Sequence, residues 1–587
     1  MKDTVNIKIN GIPYEVEKNL TILEASRICG YDIPILCHWD HDYCAVGSCR
    51  VCLVGIKEGN NTRLVSSCST TIFDGIDIDL LSPLVLRARK TSVELLLSNH
   101  SKECQQCPKN GNCELLNVAK IVGADENKFS GKTQDRVIDI SNGITRDSSK
   151  CVLCGRCVEV CNKQQGIGVL SFKNKAFENV VSPTKDLLKD SGCIFCGQCV
   201  LACPTGALME NSSIKLVDEA FEKKKKVIVQ VAPAIRAAIA EAFEQKIGVL
   251  GAGKMFSALK KLGFYRVFDT NFGADLTITE EAEELVERIK NKKVLPQITS
   301  CCPAWINYME RFYADLIPNI SSCKSPHQME GAIIKSYFAQ KHNLMPDDIF
   351  VVSVMPCTAK KDEIKRKENK TADFVDVDAV LTTREIIFMI KRAGINWSLL
   401  PDGEPDNDLI GEYSGAGAIF GVSGGVMEAA LRTAYFKLVK KEADILFFKD
   451  VRGLQCVREA TINIGEKDIK VAVVSGIKNA VPLLQDVRNK KSPYTFIEIM
   501  ACPGGCINGG GQPYVKECFF LDKNVRNTYI EKRSSILYNV DEKKKIRQSH
   551  NNEDIKKLYN DFLIKPCSEL SHKLLHTTYS KKDKFSQ

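Results

Sequence analysis

The chain has 587 residues, 44% hydrophobic and 26% charged, the balance of a soluble globular protein with room for about four domains. No apolar run approaches the ~18 residues of a membrane helix, and the opening MKDTVNIKIN has neither a signal h-region nor a twin arginine, so a cytoplasmic location without membrane attachment is expected. The formal charge of +9 is spread over scattered Lys and Arg with no basic and aromatic array, which excludes nucleic-acid binding as the main task, whereas 26 Cys at short spacings in a cytosolic chain point to metal rather than disulfides.

Residues 5–16, VNIKINGIPYEV, alternate around Asn10-Gly11, a two-residue hairpin signal. Thr21 and Glu24 form a capping box for the helix TILEASRIC, which Gly30 can end. Hairpin, helix and cysteine loop fit a β-grasp ferredoxin over residues 1–82. Four thiolates, Cys37, Cys49, Cys52 and Cys68, suit a 2Fe–2S centre. The Cys52 to Cys68 gap is long, Cys44 is an extra thiol, and spacing alone also allows zinc.

Residues 83–132 carry His100, Cys104, Cys107 and Cys113. His100 and Cys104 are four apart, so a helix would place them on one face. Composition allows a Cys3His zinc site or a 4Fe–4S cluster with one imidazole ligand. Residues 133–215 hold two C-x2-C-x2-C-x3-C runs: Cys151, Cys154, Cys157, Cys161, then Cys193, Cys196, Cys199, Cys203. This is the two-cluster bacterial ferredoxin run, in which the fourth Cys crosses over. Cys151, Cys154, Cys157 and Cys203 are expected on one cubane; Cys193, Cys196, Cys199 and Cys161 on the other.

Residues 216–587 read as a large α/β domain. KVIVQVAPAIR is a buried strand stopped by Pro233. VLPQITS, IFVVSVMP, DAVLTT, IKVAVVSG and FIEIMA alternate with helical segments, as expected for two lobes around a cleft. TSCCPAW places Cys301 beside Cys302, with Pro303 suited to the first turn of a helix. Cys302 then sits at a helix N-terminus, and the same position is expected to ease deprotonation of Cys301. VMPCTAKK supplies Cys357 with Lys360 and Lys361, and MACPGGCINGGGQP supplies Cys502 and Cys506. Three of these thiols follow strand-like runs, where α/β ligand sites lie. Spacing alone implies one more 4Fe–4S cluster at Cys302, Cys357, Cys502 and Cys506.

These three motifs, in this order, resemble those of the iron-only (FeFe) hydrogenases, and the resemblance runs along nearly the whole chain. It implies an H-cluster: the 4Fe–4S cluster bridged through Cys506 to a diiron unit carrying CO, CN⁻ and a bridging dithiolate amine. By motif position, Lys360 would donate to a cyanide, and Ala232, Pro233, Met355, Phe420 and Met500 would pack around the diiron unit. Gly504, Gly505, Gly509, Gly510 and Gly511 would let backbone approach the inorganic atoms. The reaction implied is 2H⁺ + 2e⁻ ⇌ H2. On sequence alone the segment carrying Glu281, Glu284 and Arg288 reads first as a solvated helix face with an i,i+4 ion pair. The resemblance reverses that, since Cys301, Glu281, Ser321 and Glu284, with Arg288 near the outlet, resemble the family's proton path. Residues 531–579 look like the family's small-subunit segment, expected as helices wrapping the catalytic domain with a frayed KKDKFSQ tail.

Ferredoxin or a similar small carrier is the expected electron partner of a monomer, with maturation proteins for the diiron unit. An electron-wiring subunit shares only the Cys37 to Cys113 arrangement. A non-catalytic relative that senses hydrogen or assembles clusters is a further alternative. Relatives of the assembly type keep cluster ligands but lose the thiol and relay, whereas Cys301, Glu281 and Ser321 are all present here and favour turnover. Catalytic subunits of NAD(P)-linked bifurcating complexes share the layout, but this chain has no Rossmann or flavin motif. Cys29, Cys44, Cys323, Cys456, Cys518 and Cys567 are unassigned and read as buried apolar thiols. Cys323, near the relay, is expected to influence redox sensitivity.

Overall fold

The computed structural model describes residues 3–39, 46–131, 136–174, 178–371, 374–442, 450–464, 467–515 and 523–583. Cys44 and Cys518 lie outside them. Strands Thr4–Ile9 and Ile12–Glu17 pair antiparallel, with Ile9 opposite Ile12. Asn10 and Gly11 between them both take positive φ, +50° and +82°, which two-residue hairpins require. Val5, Ile7 and Ile9 alternate into the core, as the period of two dictates. Thr4–Ile9 also pairs in parallel with Asp77–Asp79, which neighbours the hairpin Leu53–Glu58 and Asn61–Ser66. That hairpin occupies the long interval between Cys52 and Cys68. Helix Ile22–Ile28 starts at the expected capping box, and Gly30 (φ +85°) turns the chain away.

Helices Pro83–Ser98 and Glu114–Val122 follow. His100 does not share a helical face with Cys104: the first helix ends at Ser98, and Cys104 opens a separate turn, Cys104–Gln106. A loop, rather than helical periodicity, brings the two together. In the next segment the two cysteine runs fold alike. Gly155 (φ +80°) and Gly197 (φ +72°) each precede a short helix, Arg156–Glu159 and Gln198–Ala202.

Beyond residue 225 lie two four-stranded sheets. One is entirely parallel, in the order Arg266–Asp269, Lys226–Val231, Ile349–Met355, Ala379–Thr382. The other runs Gln297–Ile298, Phe496–Met500, Lys467–Ser475, Val457–Ile464, antiparallel only at its last pair. VLPQITS contributes only two strand residues, because Pro296 has no N–H to give a ladder. The parallel strands are buried on both faces and read as continuous apolar runs.

The C-terminal segment forms helices Lys523–Lys543, Glu553–Leu558 and Glu569–Leu575. Leu558, Leu563, Leu574 and Leu575 join the core of the first sheet, so the segment packs onto the domain that carries it, as expected. The tail is tied down further than expected: the Thr577 N–H donates to Ser322 O at 2.8 Å, and the Lys582 N–H to Glu310 O at 2.9 Å. Cys456 is exposed, contrary to the buried-thiol expectation, and Cys29 and Cys567 are half-buried. Among the described residues, no helix is long and apolar enough to cross a membrane.

Candidate active site and cluster-binding cavities

Cys302, Cys357 and Cys502 each follow the C-terminal end of a parallel strand, and Cys506 lies in the loop after Cys502. All four line one cavity of about 850 Å³, together with Cys301, Lys360, Ala232, Pro233, Met355, Phe420 and Met500. Cys302 caps helix Pro303–Phe312, with Pro303 in its first turn. Burial pushes these thiols up, Cys357 to about 11. A site so desolvated holds thiolates only when a metal compensates their charge. Cys301 behaves unlike the expectation. Its burial, then the Glu281 carboxyl and Cys302, push its thiol well up, outweighing any help from the helix end. It therefore carries its proton.

Glu281, Glu284 and Arg288 project from helix Asn271–Lys290 at helical spacing. The solvated-face reading fails, since the helix is buried from Asn271 to Ala282 and Arg288 is buried too. The Ser321 Oγ donates to Glu284 Oε2 at 2.9 Å, and Arg288 Nη2 pairs with Glu284 Oε1 at 2.6 Å. Arg288 also donates to the carbonyls of Val294, Pro318, Asn319 and Ile320. Both oxygens of Glu281 are buried without a well-aligned donor. Burial, and then the nearby Glu284, push its carboxyl up to about 8.

Three smaller cavities gather the other cysteines. His100, Cys104, Cys107 and Cys113 line one of about 530 Å³. Burial, then Lys150, push the His100 imidazole down to about 4, and its Nδ1 is buried without a partner, as a neutral ligand nitrogen must be. Cys151, Cys154, Cys157 and Cys203 line a second, of about 440 Å³; Cys161, Cys193, Cys196 and Cys199 a third, of about 380 Å³. The crossed grouping matches the expectation. Cys37, Cys49, Cys52 and Cys68 also converge: the Cys52 and Cys68 sulfurs are 3.4 Å apart, and Cys37 contacts Cys49 and Cys68.

The sites adjoin one another. The Ser48 Oγ donates to Cys154 O at 3.2 Å, and Lys109 Nζ to Cys203 O at 3.0 Å. Cys196 lines both the third small cavity and the large one. The Thr358 Oγ donates to Phe195 O at 2.7 Å and Gln198 Nε2 to Asn508 O at 3.0 Å, stitching the loop around Cys196 to those around Cys357 and Cys506.

A family model for the iron only hydrogenase large subunit, C-terminal domain, matches residues 225–510, and one for the iron hydrogenase small subunit matches 527–582. Models for a 2Fe-2S cluster binding domain, the NADH-ubiquinone oxidoreductase-G iron-sulfur binding region and a 4Fe-4S dicluster domain match 2–82, 89–128 and 150–207. The NADP-reducing hydrogenase subunit HndD of Solidesulfovibrio fructosivorans is 43% identical, over 99% of each chain. Iron hydrogenase 1 of Clostridium pasteurianum is 41% identical, over 98% of this chain and 100% of its own. The chain belongs to the iron-only hydrogenases. A solved structure of the apo FeFe-hydrogenase of Chlamydomonas reinhardtii, in a variant form, agrees at a TM-score of 0.55 and 38% identity, over 62% of this hydrogenase and 99% of that chain. This protein is a hydrogenase with accessory iron–sulfur domains.

The hydrogenase cavity also contains residues that sequence reasoning missed. Lys360 Nζ donates to Cys301 O at 3.2 Å and pairs with Glu363 Oε2 at 2.8 Å. The same oxygen lies 2.7 Å from Nε2 of His327, which lines the cavity. No short motif signals this, because His327 and Glu363 are 36 positions apart. Lys361 turns elsewhere, to Glu385 at 2.9 Å. The glycine-rich loop also packs tightly against neighbouring loops. A Cβ on Gly509 would meet Pro356 O at 2.1 Å, and one on Gly510 would meet Gly197 Cα at 2.5 Å. These glycines admit neighbouring protein backbone, although Gly505 and Gly509 do line the cavity. Cys323 adjoins Ser321, its N–H 3.3 Å from Ser321 Oγ, but it is fully buried in the main core, the setting of an inert packing thiol. That burial argues against the expected redox influence.

Glu280, Cys567 and His576 form another donor cluster, buried except for the half-buried Cys567, next to Glu281 in sequence. Its groups satisfy one another: Glu280 accepts from Tyr559 OH at 2.5 Å and the Cys567 N–H at 2.7 Å, with His576 Nε2 at 3.1 Å.

Proposed function

We propose that this hydrogenase interconverts protons, electrons and H2 at an H-cluster held by Cys302, Cys357, Cys502 and Cys506. The observation that carries the reading is the gathering of these four sulfurs and Cys301 in one apolar-lined cavity, roughly twice the volume of the cysteine-lined cavities beside it. That size and lining fit a cubane with a second metal unit beyond it. When bound, the diiron unit supplies the metal at which protons and electrons combine. Ala232, Pro233, Met355, Phe420 and Met500 exclude water around it, and Lys360 offers an N–H to a cyanide.

Cys301 holds a proton at its sulfur, facing the cavity. Glu281 is the acceptor and donor behind it. The Ser321 hydroxyl and the Glu284 carboxylate carry the proton outward, and Arg288 fixes Glu284 in place. A carboxyl near pH 8 is protonated often enough to donate and ionised often enough to accept at neutral pH.

Electrons enter through one 2Fe–2S centre at Cys37, Cys49, Cys52 and Cys68 and a 4Fe–4S centre at His100, Cys104, Cys107 and Cys113. They continue over two crossed cubanes to the cavity that Cys196 shares. The domains assigned are 1–82, a β-grasp unit; 83–132; 133–215; and 216–587, a two-lobed catalytic domain. A cytoplasmic monomer served by ferredoxin or a similar carrier, and by maturation proteins, fits this layout; neither a nucleic acid nor a membrane partner is assigned. The Solidesulfovibrio relative's name favours a second reading, in which the chain is the catalytic subunit of an NADP-linked complex. The nicotinamide site would then lie on another subunit.

The test is hydrogen evolution from a reduced dye by protein produced with hydrogenase maturases. Turnover that disappears in Cys302→Ala and Cys357→Ala supports the reading. Undiminished turnover in both would refute it.

A further inference from the structure

The buried pair His327 and Glu363 has no part in the relay, yet it adjoins Lys360, which lines the cavity. His327 lies in the first turn of helix Pro326–Ile333 and is 1% exposed. Its Nε2 is 2.7 Å from Glu363 Oε2, and its Nδ1 is 3.1 Å from the Ser353 Oγ on strand Ile349–Met355. Burial, then the Lys360 charge, push the imidazole down to about 4, so it is neutral with one donor and one acceptor nitrogen. Burial pushes Glu363 up, but Lys360 and His327 more than offset it and hold the carboxylate at about 2. The tautomer follows: Nε2–H donates to Glu363, and the Ser353 hydroxyl donates to Nδ1.

We propose that His327, acting through Glu363, is a positioning residue that sets how strongly Lys360 presents its free N–H to the metal site. Two donors share one carboxylate oxygen, because Lys360 Nζ also lies 2.8 Å from Glu363 Oε2. An ammonium has three N–H groups. One meets Glu363, one meets Cys301 O, and the third is left for the cavity. Without the imidazole, Oε2 would belong to Lys360 alone and would draw the ammonium back from the cavity. Ser353 locks the ring, so strand, helix and cavity loop are tied at one point. The inference rests on the proposed diiron unit and its cyanide ligands.

The test is infrared spectroscopy of the mature holoenzyme, with turnover measured alongside. His327→Leu removes the donor and is expected to displace the cyanide bands more than the CO bands and to slow turnover by about tenfold, the scale of a lost hydrogen bond to a charged group. His327→Gln keeps an N–H and is expected to restore most of both. Parent-like cyanide bands in His327→Leu, or equal displacement in both variants, would overturn the assignment. If His327→Leu does not assemble its clusters, Ser353→Ala, which frees only Nδ1, takes its place: displaced cyanide bands support the proposal and unmoved bands overturn it. Absence of CO and CN⁻ bands from the parent itself would overturn the cluster reading, and this inference with it.

Discussion

The Ser321 hydroxyl donates to the Glu284 carboxylate at 2.9 Å, joining helix Asn271–Lys290 to the loop that leads to Lys324. The other oxygen of Glu284 is held by Arg288, itself wedged among four backbone carbonyls. The contact is therefore rigid on its outer side. Its inner side faces Glu281, whose buried carboxyl adjoins Ser321 and Cys301.

Cys301→Ala removes the sulfur that faces the cavity while leaving every proposed cluster ligand in place. Iron content and the CO and CN⁻ infrared bands should match the parent. Turnover in both directions should fall by about 10²–10⁴-fold, the usual contribution of a positioned acid or base. Activity within a factor of a few of the parent would remove Cys301 from the relay.

Glu281 makes a pH prediction of definite sign. Its folded pKa, about 8, lies above the ordinary 4.5, so between those values the native state binds a proton that the unfolded chain has lost. Glu281 therefore lowers stability as pH rises from about 4.5 to 8, by up to roughly 1.4 kcal/mol per pH unit, and makes no difference below that window. Glu281→Gln should flatten this part of the denaturation profile and raise relative stability at pH 8, while losing proton transfer. Identical pH slopes for the two proteins would contradict the assignment.

Gly510 touches Gly197 across the boundary between the loop around Cys506 and the loop around Cys196. A methyl group there would sit 2.5 Å from the Gly197 Cα and must push the loops apart. Gly510→Ala should cost about 1–3 kcal/mol, as overpacking does. It should slow turnover driven through the accessory clusters more than turnover with a small dye that reaches the catalytic cluster directly. Equal slowing by both routes would argue against an electron path across this contact.

His100→Cys would replace a neutral imidazole with a thiolate. One cluster, and only one, should shift to lower potential in a redox titration, because its net charge becomes more negative. His100→Ala should disturb that same cluster alone. An unchanged iron count and spectrum in His100→Ala would refute histidine ligation.

Much of this was readable from residue order. The Asn10-Gly11 turn and the Thr21 to Glu24 cap are local, so they obey propensity. The crossed grouping of the eight ferredoxin-like cysteines follows from a duplicated spacing. The cavity was legible only through the three motifs, since no local rule joins Cys302 to Cys506. His327 was invisible, because its partner Glu363 lies on a different element. The buried face from Glu281 to Arg288 was ambiguous for a physical reason: a charged i,i+4 pair looks the same in solvent as against a cage of carbonyls. The position of His100 was misread because a helix was extended through Cys104, six residues past its real end at Ser98.

The central claim is that one cavity seats a diiron unit beside a cysteine-held cubane. Infrared spectroscopy of the protein produced with hydrogenase maturases measures it directly. Sharp CO and CN⁻ bands that vanish in Cys506→Ala are the predicted result. A protein with its full complement of iron and no such bands would contradict the account.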